Sequence, residues 1–208
     1  MSVTTLFIRV IVYVLVMLGI YGAIVYDATT ANFEEASWTE YCQEFMLLVI
    51  IVVSFLAARR YTRHRLINIS LAASATVFLI REFNNFAYEH LFPYAWQVGA
   101  LLVLIPFLTF IARNFRSFLR ELTEVANTYP FAILLIGMLV LQLFSRLYGL
   151  PFWWQELMGD GYIRMVMRAS EESIELLGYS ILCIGACEFY LFTKQQSTSA
   201  SYPPLASV

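Results

Sequence analysis

Residues 171–192 read EESIELLGYSILCIGACEFYLF, an apolar run with three glutamates at its first end. Crossing the hydrocarbon core of a bilayer takes about 20 mostly apolar residues, and this run is long enough. Similar runs lie near residues 6–26, 41–58, 66–86, 94–112 and 130–148. The pattern predicts an all-α fold, a polytopic membrane protein built as a bundle of six transmembrane helices.

The composition points to the same class of protein. Sixty per cent of the 208 residues are apolar and only 13% are charged, which is typical of a multi-pass membrane protein. The basic residues form short clusters beside apolar runs, so no stripe could follow a nucleic acid backbone. The fifth loop has an apolar, aromatic stretch at Pro151–Met158, a turn signal at Gly159–Gly161 and an amphipathic stretch at Tyr162–Ala169, and it is predicted to contain a short interfacial helix that returns into the sixth span. Residues 193–208 have few apolar side chains and are predicted to be a disordered cytoplasmic tail.

The orientation follows from the distribution of Lys and Arg in the short loops. The second and fourth loops carry Arg59, Arg60, Arg63, Arg65, Arg113, Arg116 and Arg120. The first loop, residues 27–39, has no Lys or Arg, whereas Arg164 and Arg168 in the fifth loop run against the bias. Because basic loops stay on the cytoplasmic side, the pattern predicts that both termini are cytoplasmic. The membrane is predicted to be the cell inner membrane.

Charged and polar residues gather at the opposite ends of four of these runs. The candidate ligand or ion site consists of Glu44, Arg81, Glu82, Asn85, Gln142, Arg146, Glu172 and Glu175. A charge inside a bilayer costs roughly 2.5–3.5 kcal/mol, so it persists where it is paired, hydrated or used. The common depth predicts one polar site near the extracytoplasmic face. On the sixth run, Glu171 and Glu175 share a helix face with Gly178, where a neighbouring backbone could come close.

Two interpretations of this cluster remain open. The charges could be salt bridges that only fix helix packing, as in a structural or accessory subunit of a membrane complex. However, Glu44, Glu82, Glu172 and Glu175 outnumber the two arginines. An unpaired carboxylate in a medium of low dielectric takes up a proton or holds a cation. The leading hypothesis is therefore a site that binds, senses or moves a proton, a cation or a cationic small molecule.

A third interpretation is a metal-assisted lipid-modifying enzyme. An all-oxygen site would suit a divalent cation, and His90 with nearby glutamates could add a ligand. No Ser–His or Ser–Lys pair occurs within a run, and the two aspartates, Asp27 and Asp160, are assigned to loops. A non-enzymatic role is therefore favoured and no resident cofactor is expected.

The expected partners follow from the same reasoning. His64 and His90 are predicted on opposite sides of the membrane, so they cannot bind one haem as axial ligands. The lipid bilayer is the expected partner, while a membrane-protein partner or a second copy of the chain stays open.

Several short motifs resemble those of a group of small six-span bacterial inner-membrane proteins. They are Glu40 with Glu44, Arg81-Glu82, Phe144-Ser145-Arg146 and the stretch EESIELLGY at residues 171–179. The resemblance covers residues 38 to 191 and implies a six-helix membrane fold, but no activity. In that group the third-run motif often reads Arg-Glu-x-Asp, whereas this chain has Asn84 in the last position. One carboxylate that a cation could use is therefore missing.

Overall fold

A computed structural model describes residues 3–33 and 37–200, with the side chains of residues 85, 199 and 200 outside that description. The described part is entirely helical. Its helices are α1 Val3–Thr30, α2 Trp38–Arg60, α3 Arg65–Glu82, α4 Asn84–His90, α5 Ala95–Arg113, α6 Phe115–Val125, α7 Tyr129–Leu139, α8 Ser145–Tyr148, α9 Pro151–Met158 and α10 Arg164–Ala200. A π-helical turn, Val140–Phe144, joins α7 to α8, and a 3-10 turn, Gly159–Gly161, follows α9.

Five helices of the described chain are long and apolar enough to cross a membrane. They are α1, α2, α5, the continuous helix Tyr129–Tyr148 and α10. In the apolar stretches of α1 and α5 only 6% of the residues are buried, against 56% in α10. Exposed apolar side chains on such helices are what a lipid environment requires. The fold is therefore that of an all-helical protein compatible with several passes through a membrane.

Helix α3 is not among these five helices, although the third apolar run was predicted as a span. It carries Arg65 at its first position and Arg81 and Glu82 at its end, and Asn68 is buried within it. Helix α3 ends at Glu82, and α4 follows from Asn84. The prediction of one continuous helix over residues 66–86 was therefore wrong, because the chain breaks at Phe83.

Two other boundaries also differ from the prediction. Helix α10 continues to Ala200, so the prediction of disorder was wrong for residues 193–200, and residues 201–208 lie outside the described part. Thr193 is fully buried within this extension. Helix α1 continues to Thr30, so Asp27 is a buried helical residue and not a loop residue. The predicted turn at Gly159–Gly161 is confirmed. The short helix of the fifth loop is Pro151–Met158, with Pro151 in its first turn, where the missing N–H costs no hydrogen bond.

The chain divides into two compact units. The first comprises residues 1–46 and 133–184, and the second comprises residues 47–132 and 185–208. In the first unit the buried core of α10 includes Leu176 and Tyr179, both fully enclosed. In the second unit α3 packs against α5 and α6, and Gly99 of α5 allows Ile80 of α3 to approach closely.

Candidate functional site

In the first unit, the buried Glu175 forms an ion pair with Arg146. Its side chain is 6% exposed, and its Oε1 accepts a hydrogen bond of 2.8 Å from Nη2 of Arg146. The Nη1 atom of Arg146 lies 3.5 Å from Oε1 of Glu171, one turn earlier on α10. The Ser145 hydroxyl donates to the Leu141 carbonyl at 2.7 Å and lies 3.2 Å from the same Glu175 oxygen. The guanidinium of Arg146 therefore contacts two carboxylates, those of Glu171 and Glu175.

Close packing of two glycines positions this pair. A Cβ atom on Gly137 would lie 2.9 Å from the backbone nitrogen of Leu182, and one on Gly178 would lie 3.1 Å from the backbone nitrogen of Leu141. Helix α10 therefore contacts the helix that carries Arg146 almost backbone to backbone, as small residues permit in membrane helices. The expectation that Gly178 admits a neighbouring backbone is confirmed.

The π-helical turn Val140–Phe144 directly precedes Ser145 and Arg146. A π turn inserts one extra residue into a helix and rotates the residues that follow it, and such turns are frequent at functional sites. Here Leu141, inside the turn, is the residue that Gly178 contacts and whose carbonyl accepts the Ser145 hydroxyl. The turn therefore contains the residue that packs against Gly178 and lies just before the ion-pairing Arg146.

A second polar contact lies beside the ion pair on α10. The fully buried Gln43 of α2 donates from Nε2 to Oε2 of Glu172 at 3.0 Å and to the Glu172 carbonyl at 3.2 Å. Its Oε1 is buried and has no hydrogen-bond partner in the described part of the chain. Exchanging the two amide atoms would place Oε1 against the Glu172 carboxylate, so the observed orientation is the favourable one. A buried acceptor of this kind normally has a donor bound to it.

The carboxylates of this cluster have partners of two kinds. Glu171, Glu172 and Glu175 lie within about one turn of α10 and share one face at spacings of three and four residues. The guanidinium of Arg146 contacts Glu171 and Glu175. The carboxylate of Glu172 accepts a hydrogen bond from the Gln43 amide. Three carboxylates are therefore gathered on one face of α10.

The eight predicted site residues are divided between the two units. Arg146 and Glu175 contact each other, and Glu172 lies beside them on α10. Glu44 is a half-buried residue of α2 next to Gln43, whereas Gln142 lies in the π turn with an exposed side chain. The participation of Glu44 and Gln142 in a binding site stays a prediction.

The other three predicted residues belong to the second unit. The Nη2 atom of Arg81 donates to Oε1 of Glu82 at 2.9 Å, so these neighbours pair with each other at the end of α3. The side chain of Asn85 lies outside the described part of the structure. One site shared by all eight residues stays a prediction.

Sequence reasoning missed two polar residues of the first unit. Gln43 was passed over because a single Gln between Glu40 and Glu44 gave no sign that it would be fully buried. Asp27, 1% exposed, accepts hydrogen bonds from the backbone N–H groups of Trp38 and Thr39 and from the Thr39 hydroxyl, at 3.1, 2.7 and 2.7 Å. It thus holds the first turn of α2, where a carboxylate is favoured by the helix dipole.

A signal for this helix start was present in the sequence. Ser37 and Glu40 have the spacing of a capping box, and the Glu40 N–H donates to the Ser37 hydroxyl oxygen at 3.1 Å. The capping pair fixed where α2 begins, but nothing in the pattern indicated that an aspartate from α1 would join it. Asp27 therefore acts as a structural residue in the described part of the chain.

The second unit contains a buried histidine that the sequence assigned to an ordinary loop. His64 adopts a left-handed backbone conformation, with φ 56°, just before α3, and its ring stacks on Phe192 at 5.7 Å. Both ring nitrogens are buried without a hydrogen-bond partner in the described structure, and Nδ1 lies 4.0 Å from Oε2 of Glu124. Burial first, and the nearby Arg63 second, lower the pKa of His64, and Glu124 partly opposes them.

Two glutamates of this unit also have partners that sequence reasoning did not foresee. Glu121 of α6 accepts the N–H groups of Leu66 and Ile67, at 2.8 and 3.2 Å, and so caps the start of α3. Its pKa is raised, because the effect of burial outweighs that of these two hydrogen bonds. Glu188 of α10 accepts a 2.6 Å hydrogen bond from the Tyr129 hydroxyl.

Comparison with known proteins adds no family assignment. No protein-family model, no curated protein and no solved structure matches the chain. Within the described residues, no three or more His, Cys, Asp and Glu side chains are grouped to hold a metal ion. Fold and site together define the class as an all-helical protein, compatible with a multi-pass membrane protein, that has a carboxylate-rich cluster around one arginine.

Proposed function

We propose that this protein lies in the cell inner membrane and binds a proton, a cation or a cationic small molecule at the Glu171–Glu172–Glu175 cluster. The ligand enters from the extracytoplasmic side, and its binding serves sensing or transport. Both termini are cytoplasmic, because the arginine-rich ends of α2 and α5 then face the cytoplasm. Helix α3 crosses as the sixth span, with the Arg81–Glu82 pair lowering the cost of its charged end.

The observation that supports this proposal best is the buried Oε1 of Gln43. It is an acceptor without a donor in the described chain, on a side chain whose amide is held by Glu172. A bound ammonium group, a hydrated cation or a protonated water could donate to or coordinate this oxygen and contact Glu172 as well. The three carboxylates gathered within about one turn of α10 supply the attraction, and the buried Gln43 amide fixes the direction of approach.

The test compares ligand-induced stabilisation of three purified variants in detergent. Melting midpoints are measured across a panel of sodium, magnesium, calcium, ethylammonium and putrescine salts, and across pH at constant ionic strength. A ligand present at about 100 times its dissociation constant stabilises the folded state by about 2.7 kcal/mol. We expect one ligand of the panel, or a fall in pH, to raise the midpoint of the wild type, and Glu172→Gln to remove most of that rise.

The matched control is Glu156→Gln, which removes the same charge from α9, where the side chain is exposed. It should respond as the wild type does. A panel in which neither pH nor any cation separates Glu172→Gln from Glu156→Gln would refute the proposal. Gln43→Leu provides an independent variant, because it removes the unpartnered oxygen without changing any charge.

A structural or accessory role is the second candidate. The observation that favours it is that Arg146 already joins two carboxylates of α10 at a contact made by two glycines. Under this interpretation Glu175→Gln lowers stability and weakens assembly with a membrane partner, while the cation panel has no effect. Co-purification of a stoichiometric partner from native membranes, lost in Glu175→Gln and kept in Glu172→Gln, would favour this role over ligand binding.

A further inference from the structure

The junction between α5 and α6 forms an open pocket in the second unit. Helix α5 ends at Arg113, and Asn114 closes it by donating from its side-chain amide to the Phe110 carbonyl at 2.9 Å. The chain then turns into α6. A cavity of about 350 Å³ lies at this turn, lined by Ala112, Arg113, Asn114, Phe115, Arg116 and Ser117. Because α5 is long and apolar enough to cross a membrane, its end lies at a membrane surface.

Helix α6 is strongly amphipathic, and two of its sides have different surroundings. One side faces α3, where Val125 is fully buried and Glu121 caps the start of that helix. A second side presents Phe115 and Leu119, whose side chains are 53% and 42% exposed. The exposed Arg116 lies beside them. An exposed apolar strip next to arginines is typical of a helix that lies in the headgroup region of a bilayer.

Two arginines of this junction, Arg113 and Arg116, form no salt bridge within the described chain. The two acids of α6 already have partners. Glu121 accepts two backbone N–H groups and interacts electrostatically with Arg120, and Glu124 lies 3.9 Å from Arg63. No salt bridge among the described residues therefore neutralises Arg113 and Arg116.

We propose that the α5–α6 junction binds the phosphate headgroup of an anionic phospholipid from the surrounding bilayer. Arg113 and Arg116 contact the phosphate, since guanidinium groups bind phosphate oxygens in a bidentate manner. Phe115 and Leu119 enter the boundary between headgroups and acyl chains. A soluble anion would gain from the arginines alone, whereas a lipid also covers the exposed apolar strip, so the combination selects a lipid. The inference requires membrane insertion but does not depend on the acidic site of the first unit.

The test measures lipid retention by native mass spectrometry after exchange into mixed micelles. The micelles contain equal amounts of phosphatidylglycerol and phosphatidylcholine. We expect the wild type to retain phosphatidylglycerol preferentially. The double variant Arg113→Gln/Arg116→Gln should bind it about 30-fold more weakly, the loss expected for two arginines at a lipid surface. Arg164→Gln/Arg168→Gln, which removes the same charge from the start of α10, should keep the wild-type preference.

Two further measurements separate the alternatives. Phe115→Ala/Leu119→Ala keeps every charge, so it should reduce retention of both lipids while leaving the preference between them unchanged. Glycerol phosphate at the same concentration should fail to displace the lipid from the wild type. Equal retention of the two lipids by the wild type, equal losses in the two arginine double variants, or full displacement by glycerol phosphate would each overturn the proposal.

Discussion

The close contact of Gly137 with α10 yields a prediction for which Gly22 of α1 provides the control. Replacing Gly137 by Ala adds a methyl group 2.9 Å from both the backbone nitrogen and the Cγ atom of Leu182. The backbone cannot move aside as a flexible side chain can, so overpacking is expected to lower the free energy of unfolding by about 1–3 kcal/mol. The same change at Gly22 of α1 meets no heavy atom within 4 Å. Both positions gain up to about 1 kcal/mol of helix propensity from Ala.

Because the propensity gain is common to both variants, it cancels when they are compared. Gly137→Ala should therefore be about 1–3 kcal/mol less stable than Gly22→Ala, which itself should equal or exceed the wild type. Gly178→Ala, whose added methyl would lie 3.1 Å from the Leu141 nitrogen, should fall between them. The assay is reversible unfolding in mixed micelles titrated with sodium dodecyl sulfate, followed by tryptophan fluorescence. Equal midpoints for Gly137→Ala and Gly22→Ala would refute the close contact.

Three further predictions concern charge and hydrogen bonding. Arg146→Gln should destabilise by up to about 3 kcal/mol, more than Glu175→Gln, because it removes a guanidinium partner from a buried carboxylate; unfolding titrations compare the two, and the reverse order would contradict the pairing. Burial lowers the pKa of His64 in the folded protein. As the pH falls through about 6.5, His64 is therefore protonated in the unfolded chain before it is protonated in the folded one, and the folded state loses stability. His64→Asn, which tolerates the left-handed backbone, should show a flatter melting profile between pH 7.5 and 5.5; an unchanged profile would exclude the histidine as its cause. Tyr129→Phe should cost about 1–2 kcal/mol, because it removes the 2.6 Å hydrogen bond to Glu188, and a midpoint equal to the wild type would show that the bond contributes nothing.

Hydropathy was sufficient to predict most of the long helices. The runs near 6–26, 41–58, 94–112 and 130–148 each fall within a helix that is long and apolar enough to cross a membrane. The ends of the helices were harder to predict, because a polar stretch of sequence indicates a loop whether or not the structure buries it. Thr193 is fully buried, although its segment was predicted from composition to be disordered. Asp27 is also buried, although its segment was predicted to be a loop.

The site was predicted in part, for a related reason. Helical spacing placed Glu171 and Glu175 on one face, and the structure pairs both with Arg146. Spacing could not locate the π turn at Val140–Phe144, where Leu141 lies against Gly178 of α10. Such turns arise from tertiary packing, so an assignment made from periodicity carries an error of about one residue beyond them.

Packing and binding need not exclude each other, because different residues of the cluster carry them. Arg146 has already formed ion pairs with Glu171 and Glu175, so its removal should reduce stability first. The carboxylate of Glu172 accepts a hydrogen bond from the Gln43 amide, whose oxygen has no hydrogen-bond partner among the described residues. Removing the charge of Glu172 should therefore change ligand response at little cost in stability. If Glu172→Gln instead destabilises the protein as much as Arg146→Gln does, the three carboxylates form one structural network and no separate binding position exists.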